Sequence, residues 1–185
     1  TAVGDKIVDM GFNVVSMSNN HVLDQGEEGL ISSLDYWDTK GIVHYGAYRS
    51  QEDADTIKTM EVNGIKFAFL GYMEHTNGNY LSGDGAQVIY LEDEDKIKAQ
   101  IEEADKMADV VVVSCHYGTE IQNELNEQQT EITPKLVEWG ADLIIGTQAH
   151  TISTCGYLDK PEGGQAFVYY GLGNFISTMY DTKSL

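Results

Sequence analysis

The sequence predicts an α/β domain with much parallel sheet, and three observations carry that prediction. Short apolar runs of strand length alternate with segments of helical periodicity along the 185 residues. One run, "VVVVSCH" at 110–116, is apolar at consecutive positions, as expected for a strand covered on both faces. No internal repeat or low-complexity linker interrupts the pattern, so residues 1–185 are expected to form a single domain.

The elements follow in order. "DKIVDMG" reads as a helix leading into the first strand, "FNVVSMS", whose β-branched residues favour an extended chain. "EEGLISSLDYWDTKG" then places Leu30, Leu34 and Trp37 at helical spacing, and Gly41 stands where a helix would end. "IVHYGA" is expected to be the next strand. "TMEVNGIKFAFLGYM" reads as a hairpin around Asn63-Gly64, a dipeptide suited to the positive φ angles of a two-residue turn. The Gly- and Asn-rich "HTNGNYLSGDGAQ" that follows reads as an irregular loop.

"EDEDKIKAQIEEADKMAD" lines Ile97, Ile101, Ala104 and Ala108 along one helical face, with acidic residues in the first turn where the helix dipole favours them. In "EQQTEITPKLVEWG" Ile132, Leu136 and Trp139 share a side, and Pro134 predicts a kink or a break into two short helices. "ADLIIG" is the next strand, and "AFVYYGLGNFI" is the last readable one.

Composition excludes some partners. The 42% hydrophobic content allows a sizeable core, while 30 acidic against 11 basic residues give a formal net charge of −19. Such a field repels nucleic-acid phosphates and anionic membranes, so nucleic acid is not an expected partner. Phosphate can still bind locally where metal ions supply positive charge. Cys115 and Cys155 make no disulfide framework; Cys115, inside an apolar run, reads as a small buried thiol, and pairing of the two stays open. No apolar run reaches the ~18 to 20 residues that span a bilayer.

Three expected strands end in polar, metal-capable groups, at the end of an open α/β sheet where ligands collect. The first ends in "SNNH" (Asn19, Asn20, His21), another in "SCHYGTE" (His116, Glu120), and a third in "IIGTQAH" (Gln148, His150). Taken alone, "SNNHVLD" suits a turn better than an active site, because Asn and Asp favour turns and caps. Three such ends together suit a divalent-metal site. His44, inside "IVHYG", reads as structural, and His75 reads as a loop residue facing solvent, with substrate the alternative.

These motifs carry a resemblance. The chain resembles the CapA-type family of bacterial capsule (poly-γ-glutamate) synthesis proteins, whose fold is similar to that of calcineurin-like metallophosphoesterases. "SMSNNHVLDQGEEGL" looks like the family's Asn-Asn-His with an Asp three residues later; "GIVHYGAYRS" looks like its Gly-Ile and Gly-Ala segment. "VVVVSCHYGTE" resembles its His-aromatic-Gly-x-Glu motif, "GADLIIGTQAH" its strand leading to a closing His-x-His, and "VYYGLGNFI" its Leu-Gly-Asn-Phe segment.

The resemblance implies a metallophosphoesterase-like layered α/β sandwich, here without its N-terminal part, and one or two divalent ions (Mn, Fe or Zn). Asn20, His116, His150 and Gln148 would be the metal ligands of this chain, and His21, oriented by Asp24, the acid or transition-state donor. Glu120 and Asn174 would face substrate. Paired ions ~3.5 to 4 Å apart polarise a phosphoryl oxygen and acidify water, so no catalytic Ser or Cys is expected.

The sequence departs from the family pattern twice. Gln148 replaces the first His of the closing motif, and a neutral amide oxygen is a poorer transition-metal ligand than imidazole. The family's early Gly-Asp and Asn-Leu-Glu segments are missing and are expected upstream of Thr1, and Asp5 is not read as a ligand.

Three functions compete on this reading. They are a phosphoesterase-like enzyme of cell-surface polymer metabolism, a non-catalytic component of a capsule-synthesis complex, and a sugar- or peptide-binding module. The expected partners are a cell-surface polymer or its phosphorylated precursor and other capsule-synthesis subunits. The expected location is the extracellular face of the bacterial membrane, anchored by a segment outside this chain.

Overall fold

A computed structural model describes residues 2–177; Thr1 and residues 178–185 of the expected domain lie outside the described residues. In chain order the elements are α1 (Ala2–Asp9), β1 (Val14–Ser16), α2 (Gly26–Lys40), β2 (Val43–Tyr45), β3 (Ala47–Tyr48), α3 (Gln51–Asp55), β4 (Lys58–Val62), β5 (Ile65–Met73), β6 (Gln87–Val88), α4 (Glu94–Met107), β7 (Val110–Tyr117), α5 (Glu127–Glu138), β8 (Leu143–Gln148), β9 (Cys155–Asp159) and β10 (Gln165–Tyr169).

The main sheet has six strands in the order β4-β5-β7-β8-β10-β9. Its centre, β5-β7-β8-β10, is parallel, and the antiparallel β4 and β9 are its edges. Strand alternation splits the side chains into two cores. On one face Ala68, Leu70, Tyr72, Val111, Val113, Cys115 and Ile144 pack under Ile97, Ile101 and Ala104 of α4 and Ile132, Leu136 and Val137 of α5. On the other, Phe69 and Val112 meet Tyr45, Val14 and Val43 of the separate parallel pair β1-β2. Helices, sheet and strand pair thus form a layered α/β arrangement, the class that the resemblance implied.

Several expected elements changed on folding. "IVHYGA" is two strands rather than one, because Gly46 between them takes φ 89° and turns the chain. The last strand ends at Tyr169; the segment after it is irregular, with an isolated bridge from Leu172 to Ile152 and a bond from the Leu172 N–H to the Gly146 carbonyl of β8 at 3.2 Å. Pro134 does not split its element into two: α5 is one helix over Glu127–Glu138. A capping box, in which Asn126 and Gln129 exchange side-chain-to-backbone bonds, secures its start, and its buried face outweighs the one backbone bond that proline removes. The expected loop at 75–87 supplies the short β6, which pairs with β3. β9 has no sequence counterpart, since its side chains alternate between exposed and half-buried with little apolar signal.

Two glycines set the height of the first strand-end loop above the sheet. A Cβ on Gly71 of β5 would lie 2.8 Å from the Gly46 Cα and 2.9 Å from the Ser18 Oγ, and one on Gly46 would lie 2.8 Å from the Ser18 N. Only hydrogen at both positions lets the chain after β1 settle onto β5, two residues before Asn20.

Candidate functional site

The carboxyl ends of β1, β7 and β8 lie together, and the loops there are built for different tasks. In the first, Asn19 makes the turn: its Oδ1 accepts from the His21 N–H at 3.0 Å and its Nδ2 donates to the Met17 carbonyl at 3.2 Å. Leu23, 2% exposed, pins the loop into a small core with Leu30 and Leu34 of α2. Asn20, the next residue, is 5% exposed and turned inward. One asparagine therefore forms the turn and its neighbour is delivered to the strand ends.

There Asn20 Oδ1 faces His116 Nε2 at 3.1 Å, and His116 Nδ1 meets the Thr147 hydroxyl at 2.8 Å. An amide oxygen only accepts, so in the metal-free protein Nε2 carries the proton and Nδ1 accepts from Thr147. Were a cation to replace that proton, Nδ1–H would donate to the same hydroxyl, which rotates to serve either tautomer. Burial pushes the His116 pKa down from 6.5 to about 4, and His75, His150 and His21 add to the lowering. The imidazole is thus neutral, with a lone pair to offer, at physiological pH.

The closing loop carries backbone strain. Gln148 has φ 93° and His150 φ 59°, both in the left-handed region that ordinary side chains avoid. Bonds to the loop after β7 hold it: Ile121 N–H to the Ala149 carbonyl at 2.8 Å, and the Thr151 hydroxyl to the Gln122 carbonyl at 2.7 Å. Gln148 Nε2 donates to Glu120 Oε1 at 3.4 Å, and its Oε1 is buried without a partner. His150 Nδ1 donates to Asn174 Oδ1 at 2.8 Å, which leaves Nε2 with the lone pair, the tautomer a metal ligand needs. The structure therefore places Glu120 against Gln148 and Asn174 against His150.

The rim is more exposed. His21 Nδ1 lies 2.7 Å from Asp24 Oδ2, so the predicted pair forms and His21 Nε2 is left for a ligand. Two residues of the 74–79 loop join it. Asn77 Oδ1 accepts from Asn20 Nδ2 at 3.2 Å, Asn77 Nδ2 lies 3.5 Å from His21 Nδ1, and the Asn77 N–H donates to His75 Nδ1 at 3.3 Å. His75 is half-buried and close enough for its charge to act on His116, rather than turned to solvent. Sequence reasoning missed Asn77, because it comes from a loop rather than from a strand-end motif, and weighed His75 only as a loop residue with substrate the alternative to solvent. His44 instead bonds Asp38 of α2 at 2.9 Å and is structural, as read.

Among the described residues no three His, Cys, Asp or Glu side chains gather closely enough to hold a metal by themselves. A divalent ion fits if amide oxygens share in holding it. The His116 nitrogen and Asn20 oxygen converge, His150 has the required tautomer, and the orphaned Gln148 oxygen lacks a hydrogen-bond donor. No cysteine offers a nucleophile beside them: Cys115 is buried, its thiol pKa is raised by that burial, and Cys155 is free and exposed.

A family model described as "Bacterial capsule synthesis protein PGA_cap" matches residues 1–179. The chain belongs to this capsule-synthesis family. It is 30% identical over 169 residues to the PGA biosynthesis protein CapA of Bacillus subtilis (strain 168), covering 91% of this chain and 43% of that protein. It is 26% identical to the capsule biosynthesis protein CapA of Bacillus anthracis, covering 92% of this chain and 41% of that one. The chain thus spans less than half the length of these capsule-synthesis relatives.

Among solved structures, a 5'-nucleotidase precursor from Thermus thermophilus superposes with a TM-score of 0.61 at 16% identity, over 93% of this chain and 36% of its own. A hypothetical protein from the same organism gives 0.59 at 17%, over 93% of this chain and 57% of its own. At that identity the likeness is one of fold, and it is the metallophosphoesterase-like α/β fold expected from the sequence.

Proposed function

We propose that this capsule-synthesis chain contributes to a metal-dependent site that hydrolyses a phosphoester in cell-surface polymer metabolism. The observation that carries this reading is the buried pairing of Asn20 Oδ1 with His116 Nε2 at 3.1 Å, beside the unpartnered oxygen of Gln148. Asn20, His116, Gln148 and His150 would hold the ion, of Mn, Fe or Zn type. Such an ion supplies Lewis acidity toward a phosphoryl oxygen and toward water.

The remaining work falls to the rim. The Asp24 carboxylate holds His21 Nδ1–H, which aims Nε2 outward; as an imidazolium, His21 can protonate a leaving oxygen from that atom. Glu120 and Asn174, already bonded to Gln148 and His150, would contact substrate. The polymer or its phosphorylated precursor would be the substrate, other capsule-synthesis subunits the partners, and the outer face of the membrane the location.

The donor set favours a second reading, in which the chain binds or organises the polymer machinery without catalysis. Two of its four candidate ligands are amides, which hold transition metals less firmly than imidazole. Metal analysis of the full-length protein, purified without chelator, separates the two when combined with an assay on bis(p-nitrophenyl) phosphate. About one ion per chain, together with hydrolysis lost in His21→Ala, supports the enzyme. Less than one ion and no hydrolysis sinks it, and if His21→Ala then leaves polymer production intact, the assembly role stands.

A further inference from the structure

We infer that Asn77, in the loop after β5, is a positioning residue that fixes which atom of the Asn20 amide faces His116. This rests on the reading of Asn20 and His116 as ligands. An asparagine amide is nearly symmetric in shape, so packing alone does not select its oxygen-inward orientation; its hydrogen bonds must. Asn20 has two. Its oxygen faces His116 Nε2, and its nitrogen donates to Asn77 Oδ1 at 3.2 Å. With Asn77 present, a flipped Asn20 would set its oxygen against the Asn77 oxygen, acceptor against acceptor, and aim an N–H at His116.

Asn77 is placed by its backbone and by the bond from Asn20. Its nitrogen lies 3.5 Å from His21 Nδ1, but that ring nitrogen gives its proton to Asp24 at 2.7 Å and has no lone pair to accept from Asn77. Its backbone N–H donates to His75 Nδ1 at 3.3 Å, and its φ of 53° is a left-handed value that asparagine tolerates better than most residues. Asn77 thereby ties the buried ligand pair to the loop after β5.

Two readouts test this, one of them needing no metal. The ring 15N shifts of His116 in the metal-free protein should report the Nε2–H tautomer, as an oxygen at Nε2 demands. Asn77→Gly keeps the backbone comfortable at positive φ and removes only the side chain. It should shift His116 toward the Nδ1–H tautomer and weaken Mn2+ or Co2+ binding by roughly 10-fold, the lower range for a residue behind a ligand. Asn77→Asp keeps the oxygen that accepts from Asn20 and should stay within about threefold of the parent in both measurements.

An Nδ1–H tautomer in the parent protein would overturn the inference, as would an Asn77→Gly variant that keeps both the tautomer and the affinity. Asn20→Ala marks where a failure lies. If it leaves metal binding unchanged, the ligand reading fails; if it weakens binding while Asn77→Gly does not, only the positioning role fails.

Discussion

The floor and the rim of the site use the same residue type in opposite ways. On the floor, His116 is 8% exposed, has both nitrogens engaged and is kept neutral by desolvation down to about pH 4. On the rim, the His21 side chain is 63% exposed, and one nitrogen is engaged by a carboxylate. The contrast teaches that environment, not residue identity, assigns the task. A buried imidazole offers a lone pair, and an exposed one beside a carboxylate moves a proton.

The sharpest way to break that comparison is to remove the proposed proton carrier without touching the floor. His21→Gln should lower phosphoester hydrolysis by about 100- to 10,000-fold, the range for general acid–base catalysis. Because His21 is exposed, the same change should alter unfolding free energy by less than about 0.5 kcal/mol. Steady-state kinetics beside urea denaturation checks both, and an equal loss of stability would erase the distinction between floor and rim.

The floor has its own signature in pH. The folded-state pKa of His116, about 4, lies below its ordinary value of 6.5, so the unfolded chain binds more protons between those values. The stability is present in full above about pH 6.5 and is lost as pH falls toward 4, by up to about 3 kcal/mol. Urea midpoints across that window should show the slope, and His116→Gln should flatten it.

Gly71→Ala tests what brings the two regions together. The added Cβ would meet the Gly46 Cα at 2.8 Å and the Ser18 Oγ at 2.9 Å, so the Gly46 backbone and the Ser18 side chain must give way, at about 2 kcal/mol. Denaturation should show that loss together with weakened metal binding, since the Asn20 loop lifts away from His116. The smallest effect belongs to Thr147→Val, which leaves the bond partner of His116 Nδ1 apolar. It should cost about 1 kcal/mol of stability and roughly 10-fold in metal affinity.

Much of this was legible in the chain. Strand-end placement identified Asn20, His21, His116, Gln148 and His150, and the structure gathers their loops at one end of the sheet. Asp24, three residues after His21, proved to be its partner at 2.7 Å. Asn77 and Thr147 stayed hidden for different reasons. The first sits in a loop whose composition announces only a turn, and Thr147 passes as an ordinary strand residue until β8 is set beside β7. The continuous α5 and the divided "IVHYGA" were misread because burial and a close backbone approach overrode local signals.

By itself, then, the sequence determined the α/β alternation, most of the strands along the chain and which strand ends carry polar, metal-capable groups. Periodicity and strand-end composition are local properties that survive without a fold. Only the tertiary structure decided which nitrogen of His116 faces Asn20, that Gln148 keeps a buried oxygen unpaired, and that a distant loop anchors the Asn20 amide. Those facts depend on contacts between residues 57 to 96 positions apart and on the removal of water, and neither is written in any one stretch of chain.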